Sequence, residues 1–174
     1  MTTATELAAA NSMPRPRLAK CHHPVRGLGF GRRVGIWFQG CSIRCRGCIV
    51  PETWESGPNH QVELAALLQA LLPWLDDSDG VTISGGEPFD QPEALLALVT
   101  ALRRLGSGDI LVYSGYPWRR LNQRHQDVIA VVDVVVSEPF RTDRRVSNAV
   151  LVGSTNQCVH LLRARACQDE QRSV

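Results

Sequence analysis

Cys41, Cys45 and Cys48 fall within "GCSIRCRGCIVPETW" in the pattern C-x3-C-x2-C. Thiolates are the ligands of zinc and of iron–sulfur clusters. A structural zinc site takes four protein ligands and often builds them from two C-x2-C knuckles. Here there is one knuckle and an outlying cysteine. A fourth ligand would have to come from Cys21, His22, His23, Cys158 or His160, none of which has a companion at knuckle spacing. A [4Fe–4S] cluster has one ligand per iron, so three cysteines leave one iron open to a substrate or cosubstrate. One compact loop suits three corners of a cube. Inert clustered thiols are the remaining alternative.

A second chemical stretch is "GGEP", Gly85 to Pro88. Two glycines let backbone come close to a ligand, and the Glu87 carboxylate suits a cationic ammonium. By itself the stretch also reads as a plain Gly-Gly turn. "YSGY" (Tyr113 to Tyr116) and "GSTNQ" (Gly153 to Gln157) offer hydroxyl, amide and small groups.

The elements that must position these groups alternate in type. "RRVGIWFQG" (Arg32 to Gly40) predicts a strand running into the cysteine loop. Val62 to Leu75 has apolar residues at helical spacing and predicts a helix ending near Pro73. "VTIS" (Val81 to Ser84) predicts a buried strand. Asp90 to Gly106 reads as a helix with Asp90 as N-cap, Glu93 completing a capping box and Gly106 at the C-terminal cap. "DILVYSG" and "DVVVS" predict further strands, Trp118 to Val132 a short helix and connector, and "AVLVGS" (Ala149 to Ser154) a last strand. Strands alternating with amphipathic helices imply β/α units and a mainly parallel sheet. Such sheets bind ligands at the carboxyl ends of their strands. The cysteine loop, "GGEP", "YSGY" and "GSTNQ" each follow a predicted strand, which implies one shared site.

The chain has 174 residues and fits one domain: a flexible lead-in over 1–24, a catalytic domain over 25–165 and a tail over 166–174. The start lacks the basic and apolar segments of a secretory signal, and no apolar run approaches a membrane span of about 18 residues. Six cysteines without such a signal favour metal binding or redox chemistry in a reducing cytoplasm over a disulfide framework. The net charge of +2 is small and its basic residues are scattered, with "FRTDRR" (Phe140 to Arg145) the nearest thing to a cluster. That pattern argues against direct nucleic-acid binding.

The cysteine triad followed by "SGGEP" resembles the radical S-adenosylmethionine (SAM) superfamily. More narrowly, "WFQGCSIRCRGCIVPETW", "VTISGGEPF", "LVYSGYPWRRL", "DVVVSEPFRTD" and "LVGSTNQCVHLLR" resemble the activating enzymes of anaerobic ribonucleotide reductase and related glycyl-radical enzymes. They occur in that family's order over roughly Gly27 to Arg163. Gly47 stands where many superfamily members have an aromatic, as it does in the reductase activases. The resemblance implies a partial (β/α) barrel within the α/β class, abbreviated from six β/α units and open on one side to a macromolecular substrate. It implies a [4Fe–4S] cluster on Cys41, Cys45 and Cys48, with SAM on the open iron. Gly85, Gly86 and Glu87 would contact the methionine portion, Ser114 the ribose, and Gly153, Ser154 and Asn156 the adenosyl end. The implied partners are a large glycyl-radical enzyme and an external one-electron donor of flavodoxin or ferredoxin type. Trp54 and Trp37 would pack around the cluster, and the remaining cysteines and histidines would be structural or on the surface.

Two stretches depart from the family pattern: "GLGFG" (Gly27 to Gly31) for the usual "GPG", and "SEPF" (Ser137 to Phe140) for a Gly-containing stretch. They leave the substrate open. Radical modification of another peptide or a small molecule is one rival reading. A non-catalytic iron–sulfur or zinc-stabilised binding module is another.

Overall fold

The computed structural model describes residues 14–57, 60–147 and 149–163. Six strands form one sheet in sequential order: β1 (Leu18–Val25), β2 (Arg33–Phe38), β3 (Gly80–Gly85), β4 (Asp109–Tyr113), β5 (Val134–Ser137) and β6 (Cys158–Leu161). β2 to β5 are parallel, while β1 and β6 pair antiparallel at the two edges. The α/β class and the mainly parallel sheet are as the sequence predicts. Among the described residues β1 and β6 do not pair with each other, so the barrel is partial.

The register stacks the apolar residues at alternate strand positions into rows on one face of the sheet. Val34, Val81 and Ile110 stand side by side, as do Ile36, Ile83, Val112 and Val135. These two rows belong to the buried core. They pack with helix α1 (Leu64–Leu75) and helix α2 (Pro92–Arg104), which buries Ala94, Leu95, Leu98, Val99 and Leu102 at helical spacing. Two short helices, α3 (Trp118–Arg124) and α4 (Gln126–Ile129), lead into β5. The intervening strand positions face inward, and Ser84 and Tyr113 among them line the cavity described below. No helix of the described residues is long and apolar enough to cross a membrane.

Four expectations are corrected. The lead-in ends before residue 24, because Leu18–Val25 form β1; His22 and His23 lie on this strand instead of before it. Helix α1 runs through Pro73 to Leu75. A proline there removes one hydrogen bond near the helix end, while Leu71 and Leu75 stay anchored in the core. Asp90 does not cap α2; Gln91 holds the cap position, and Asp90 sits in a preceding turn at Pro88–Asp90. Gly106, by contrast, ends α2 as expected: its φ is 71° and the bonds Gly106 N to Arg103 O and Ser107 N to Leu102 O form a Schellman closure. Finally, Ala149 to Ser154 is not a strand. Ala149 and Val150 are exposed, Leu151 has φ 70°, and the sixth strand comes later. Cys167 and the tail lie outside the described residues.

Arg33 closes the amino-terminal end of the sheet interior. It is 2 % exposed and donates to both carboxylate oxygens of Asp109 (2.7 and 3.1 Å), to Thr82 Oγ1 (2.6 Å) and to Val81 O (2.8 Å). Removing one member of a buried ion pair leaves the other uncompensated and costs about 3–5 kcal/mol. Arg33→Leu is therefore expected to lower the unfolding free energy by about 3 kcal/mol, read from denaturant titration. An unchanged midpoint would show that Asp109 is satisfied by solvent.

Candidate metal centre and active site

The cysteine loop leaves the end of β2 through Gln39 and Gly40, and the chain returns beside it. Gly40 N donates to Thr53 O (2.7 Å) and Cys41 N to Trp54 O (3.0 Å). The buried Gln39 amide donates to Glu52 O (3.0 Å). Gly40 and Gly47 have positive φ, and a side chain on Gly47 would strike Thr142. Thus the glycine before the third cysteine lets the segment after β5 lie against the loop.

Asp90 is the residue that sequence reading misplaced, and it fastens this loop from outside. Its carboxylate accepts from Ser42 N (2.7 Å), from Ser42 Oγ (3.0 Å) and from the Tyr116 hydroxyl. A residue that both follows "GGEP" and precedes a helix looks like a cap in sequence. Only the fold brings Ser42 and Tyr116 to it. Outer-shell supports of metal ligands are worth about 10- to 100-fold in metal affinity. Asp90→Ala is expected to weaken cluster retention by about tenfold, measured as iron loss to a chelator; unchanged loss rates would reduce Asp90 to a packing role.

"SGGEP" docks directly on the cysteine loop. Gly86 N donates to Phe38 O and Glu87 N to Gly40 O, each at 2.8 Å. A Cβ on Gly85 would lie 2.5 Å from Phe38 N and O, and one on Gly86 would collide with Gly40 O. The two glycines are demanded by the approach of two backbones to each other. Glu87 is 1 % exposed. Its Oε1 accepts from Phe89 N (3.1 Å) and Ser114 Oγ (2.9 Å), and its Oε2 from Gly115 N (2.8 Å). Burial pushes its pKa up to about 7 in spite of these three donors.

Cys41, Cys45, Cys48, Gly85, Gly86, Glu87, Ser114 and Gly153 all line one cavity of about 380 Å³ at the carboxyl edge of the sheet. The three thiols are unpaired, and burial raises those of Cys41 and Cys45. Among the described residues, no three His, Cys, Asp or Glu side chains converge to hold a single ion. Three unpaired thiols on one cavity wall are a donor set that fits an iron–sulfur cluster. Among the described residues no other cysteine and no histidine lines the cavity. Cys21 is on β1, where burial pushes its thiol up to about 11, and Cys158 is exposed. The His160 ring stacks on Trp118 at 3.8 Å with its Nε2 2.9 Å from Ser137 Oγ, a structural role.

The family described as "4Fe-4S single cluster domain" matches residues 27–160. The chain belongs to this family. It is 31 % identical over 142 residues to the anaerobic ribonucleoside-triphosphate reductase-activating protein of Escherichia coli (strain K12), covering 78 % of this chain and 92 % of that one. It is 32 % identical over 117 residues to the pyruvate formate-lyase-activating enzyme of Clostridium pasteurianum, covering 62 % of this chain and 49 % of that one. Its fold is similar to that of QueE from Escherichia coli (TM-score 0.53, 18 % identity, 65 % of this chain and 58 % of that chain). This 4Fe-4S single cluster protein is thus a radical SAM protein of the activating-enzyme type, with a [4Fe–4S] cluster and SAM as its cofactors.

Not every residue expected at the site stands in the cavity wall. Ser154 and Asn156 do not line the cavity. Ser154 Oγ accepts from Arg141 N (3.2 Å), and Asn156 Nδ2 donates to Pro139 O (2.8 Å). The turn's contribution to the wall is Gly153 and Gln157. Ser114 reaches the cavity, but its hydroxyl already donates to Glu87 and accepts from Tyr116 N. Trp37 lies away from the site, with the Lys20 ammonium 4.9 Å from its ring, whereas Trp54 lines the cavity. Sequence reading missed Ile43, Phe140, Glu138 and Gln157 in the wall. No spacing rule marks them, since they come together only through the loops after β2, β5 and the last turn.

Proposed function

We propose that this protein generates a glycyl radical on a large partner enzyme of the anaerobic ribonucleotide reductase type. An external one-electron donor of flavodoxin or ferredoxin type would supply the electron. The observation that carries the reading is the buried, donor-fed Glu87 carboxylate beside the cysteine loop. The similarity to a reductase-activating protein along 92 % of its length supports the choice of partner.

Held by these residues, the cluster and SAM would together supply one-electron chemistry for hydrogen-atom abstraction from the substrate. The chain's own residues do the rest. Cys41, Cys45 and Cys48 hold three corners. Glu87, fixed at both oxygens, receives the ammonium of the methionine portion, with Gly85 and Gly86 keeping that edge against the cysteine loop. Ser114 orients Glu87 and keeps a lone pair for a ribose hydroxyl. Ile43, Trp54 and Phe140 keep water from the reacting centre, and Gly153 with Gln157 borders the adenosyl end. The catalytic domain is proposed to extend over 25–165, with β1 as an added edge.

The test is anaerobic reconstitution with iron and sulfide, followed by reduction with SAM and an anaerobic ribonucleoside-triphosphate reductase. A glycyl-radical signal in the reductase is the expected result. Release of 5′-deoxyadenosine without that signal would remove the proposed partner and favour another substrate. Release of neither deoxyadenosine nor methionine would leave a binding module.

A further inference from the structure

The arginines of "FRTDRR" (Phe140 to Arg145) form a charge cluster that the reaction above does not use, and the fold seats them against the cysteine loop. Thr142 Oγ1 donates to Arg46 O (3.2 Å), and a Cβ on Gly47 would lie 2.6 Å from Thr142 Cγ2. The segment is itself held, since Thr155 N donates to Arg144 O (2.9 Å) and Val146 N to Gly153 O (3.1 Å). Arg141, Arg144 and Arg145 thus belong to a turn packed on the loop where Arg44 and Arg46 flank Cys45, and all five arginines are exposed. Glu55 pairs with Arg44 (3.0 Å) and Asp143 with Arg141 (2.8 Å). Among the described residues Arg46, Arg144 and Arg145 have no ion-pair partner. Even with Glu52 of the returning segment counted, the two loops keep an excess of positive charge. Among the described residues no large apolar side chain is exposed over 44–47 or 141–145.

We infer that this arginine surface docks the acidic face of a flavodoxin-type one-electron carrier and is where the electron enters the cluster. The inference rests on the cluster assignment and deepens the proposed function by giving its electron donor a place to bind. The step moves one electron and no bond: the carrier's anionic reduced flavin becomes the neutral semiquinone, and the cluster is reduced by one electron. Electron transfer slows steeply with distance, and Cys45 is half-buried between the exposed Arg44, Arg46 and Gly47. Encounters of redox proteins are weak and bury little surface. Charge of one sign raises the on-rate of an oppositely charged partner by about 10- to 1,000-fold. Unpaired guanidinium groups without an apolar centre suit such an encounter, whereas a lasting complex is built around an apolar core.

Arg46→Glu/Arg144→Glu reverses two exposed charges, and surface changes of this kind leave the fold intact. The probe is a flavodoxin of strongly negative net charge, added to the reconstituted protein at low and at high ionic strength. Its affinity for the parent is expected to fall as salt rises, and the variant should bind it more weakly at low salt. Reduction of the cluster by the reduced flavodoxin should slow by about tenfold in the variant. Reduction by a small uncharged reductant should proceed equally in both proteins, and Arg46→Lys/Arg144→Lys should behave as the parent. Equal flavodoxin affinity and rate in parent and variant, or parent binding that ignores salt, overturns the inference. A variant that takes electrons from flavodoxin normally but no longer activates the reductase also overturns it and assigns the surface to the substrate enzyme. A parent that forms no cluster overturns the cluster reading and this inference with it, and iron content shows that before flavodoxin is added.

Discussion

Cys45→Ala is expected to give a folded protein that cannot keep its cluster and releases no 5′-deoxyadenosine above background. Cys45 is half-buried and the chain around it is exposed at Arg44, Arg46 and Gly47. Removing its sulfur deletes little packing, and such surface substitutions stay within about 0.5 kcal/mol. The loop is pinned by Gly40, Cys41, Ser42 and Gln39, none of which bonds through Cys45. The fold therefore survives while a corner of the cluster loses its protein ligand. Among the described residues no other cysteine or histidine lines the cavity to replace it. Iron and sulfide content and the visible absorbance should fall well below those of the parent, with an unchanged far-ultraviolet circular dichroism spectrum. A variant that retains a full cluster would reject Cys45 as a ligand.

The parts of this molecule legible in the sequence are those set by local rules. Runs such as Val81 to Ser84 and Asp109 to Tyr113 carry apolar core residues at alternate positions, and the register pairs them as parallel neighbours. Gly106 ends its helix through the conformation only glycine adopts readily. The three cysteines were legible because their ligand chemistry depends on spacing within one loop. What stayed hidden depends on contacts across the sheet. Asp90 looked like a cap because Ser42 and Tyr116, its actual partners, are 48 and 26 residues away. Ala149 to Ser154 looked like a strand because its apolar residues mimic one, yet Leu151 and Val152 turn to the cavity wall. Gly153 and Gln157 of "GSTNQ" reach the cavity wall by a route other than the end of a parallel strand. β6 runs antiparallel, so its first residue, Cys158, pairs with Ser137 at the carboxyl end of β5.

Glu87→Gln is expected to weaken SAM binding about 100-fold, about 2.7 kcal/mol, within the range for truncating one partner of a buried charge pair. The parent's pH dependence follows from the same residue. Its pKa is raised from 4.5 to about 7, with burial as the largest cause. In the absence of ligand, the folded protein therefore holds this proton more tightly than the unfolded chain does. Stability from this group is fully present below pH 4.5, is lost as pH rises from 4.5 to about 7, and is level above that. The ligand works in the opposite direction. Its ammonium requires the carboxylate, whose oxygens the three donors of Phe89, Ser114 and Gly115 already favour in the charged form. SAM affinity of the parent should thus fall as pH drops through about 7, and binding near pH 6 should release close to one proton into the buffer. In Glu87→Gln both effects should vanish, leaving a weak affinity that is flat over the same window. Calorimetry in buffers of different ionisation heat reads the proton release, and equilibrium dialysis reads the affinity. A parent affinity that stays level from pH 5 to pH 8 would mean that Glu87 does not carry the ammonium.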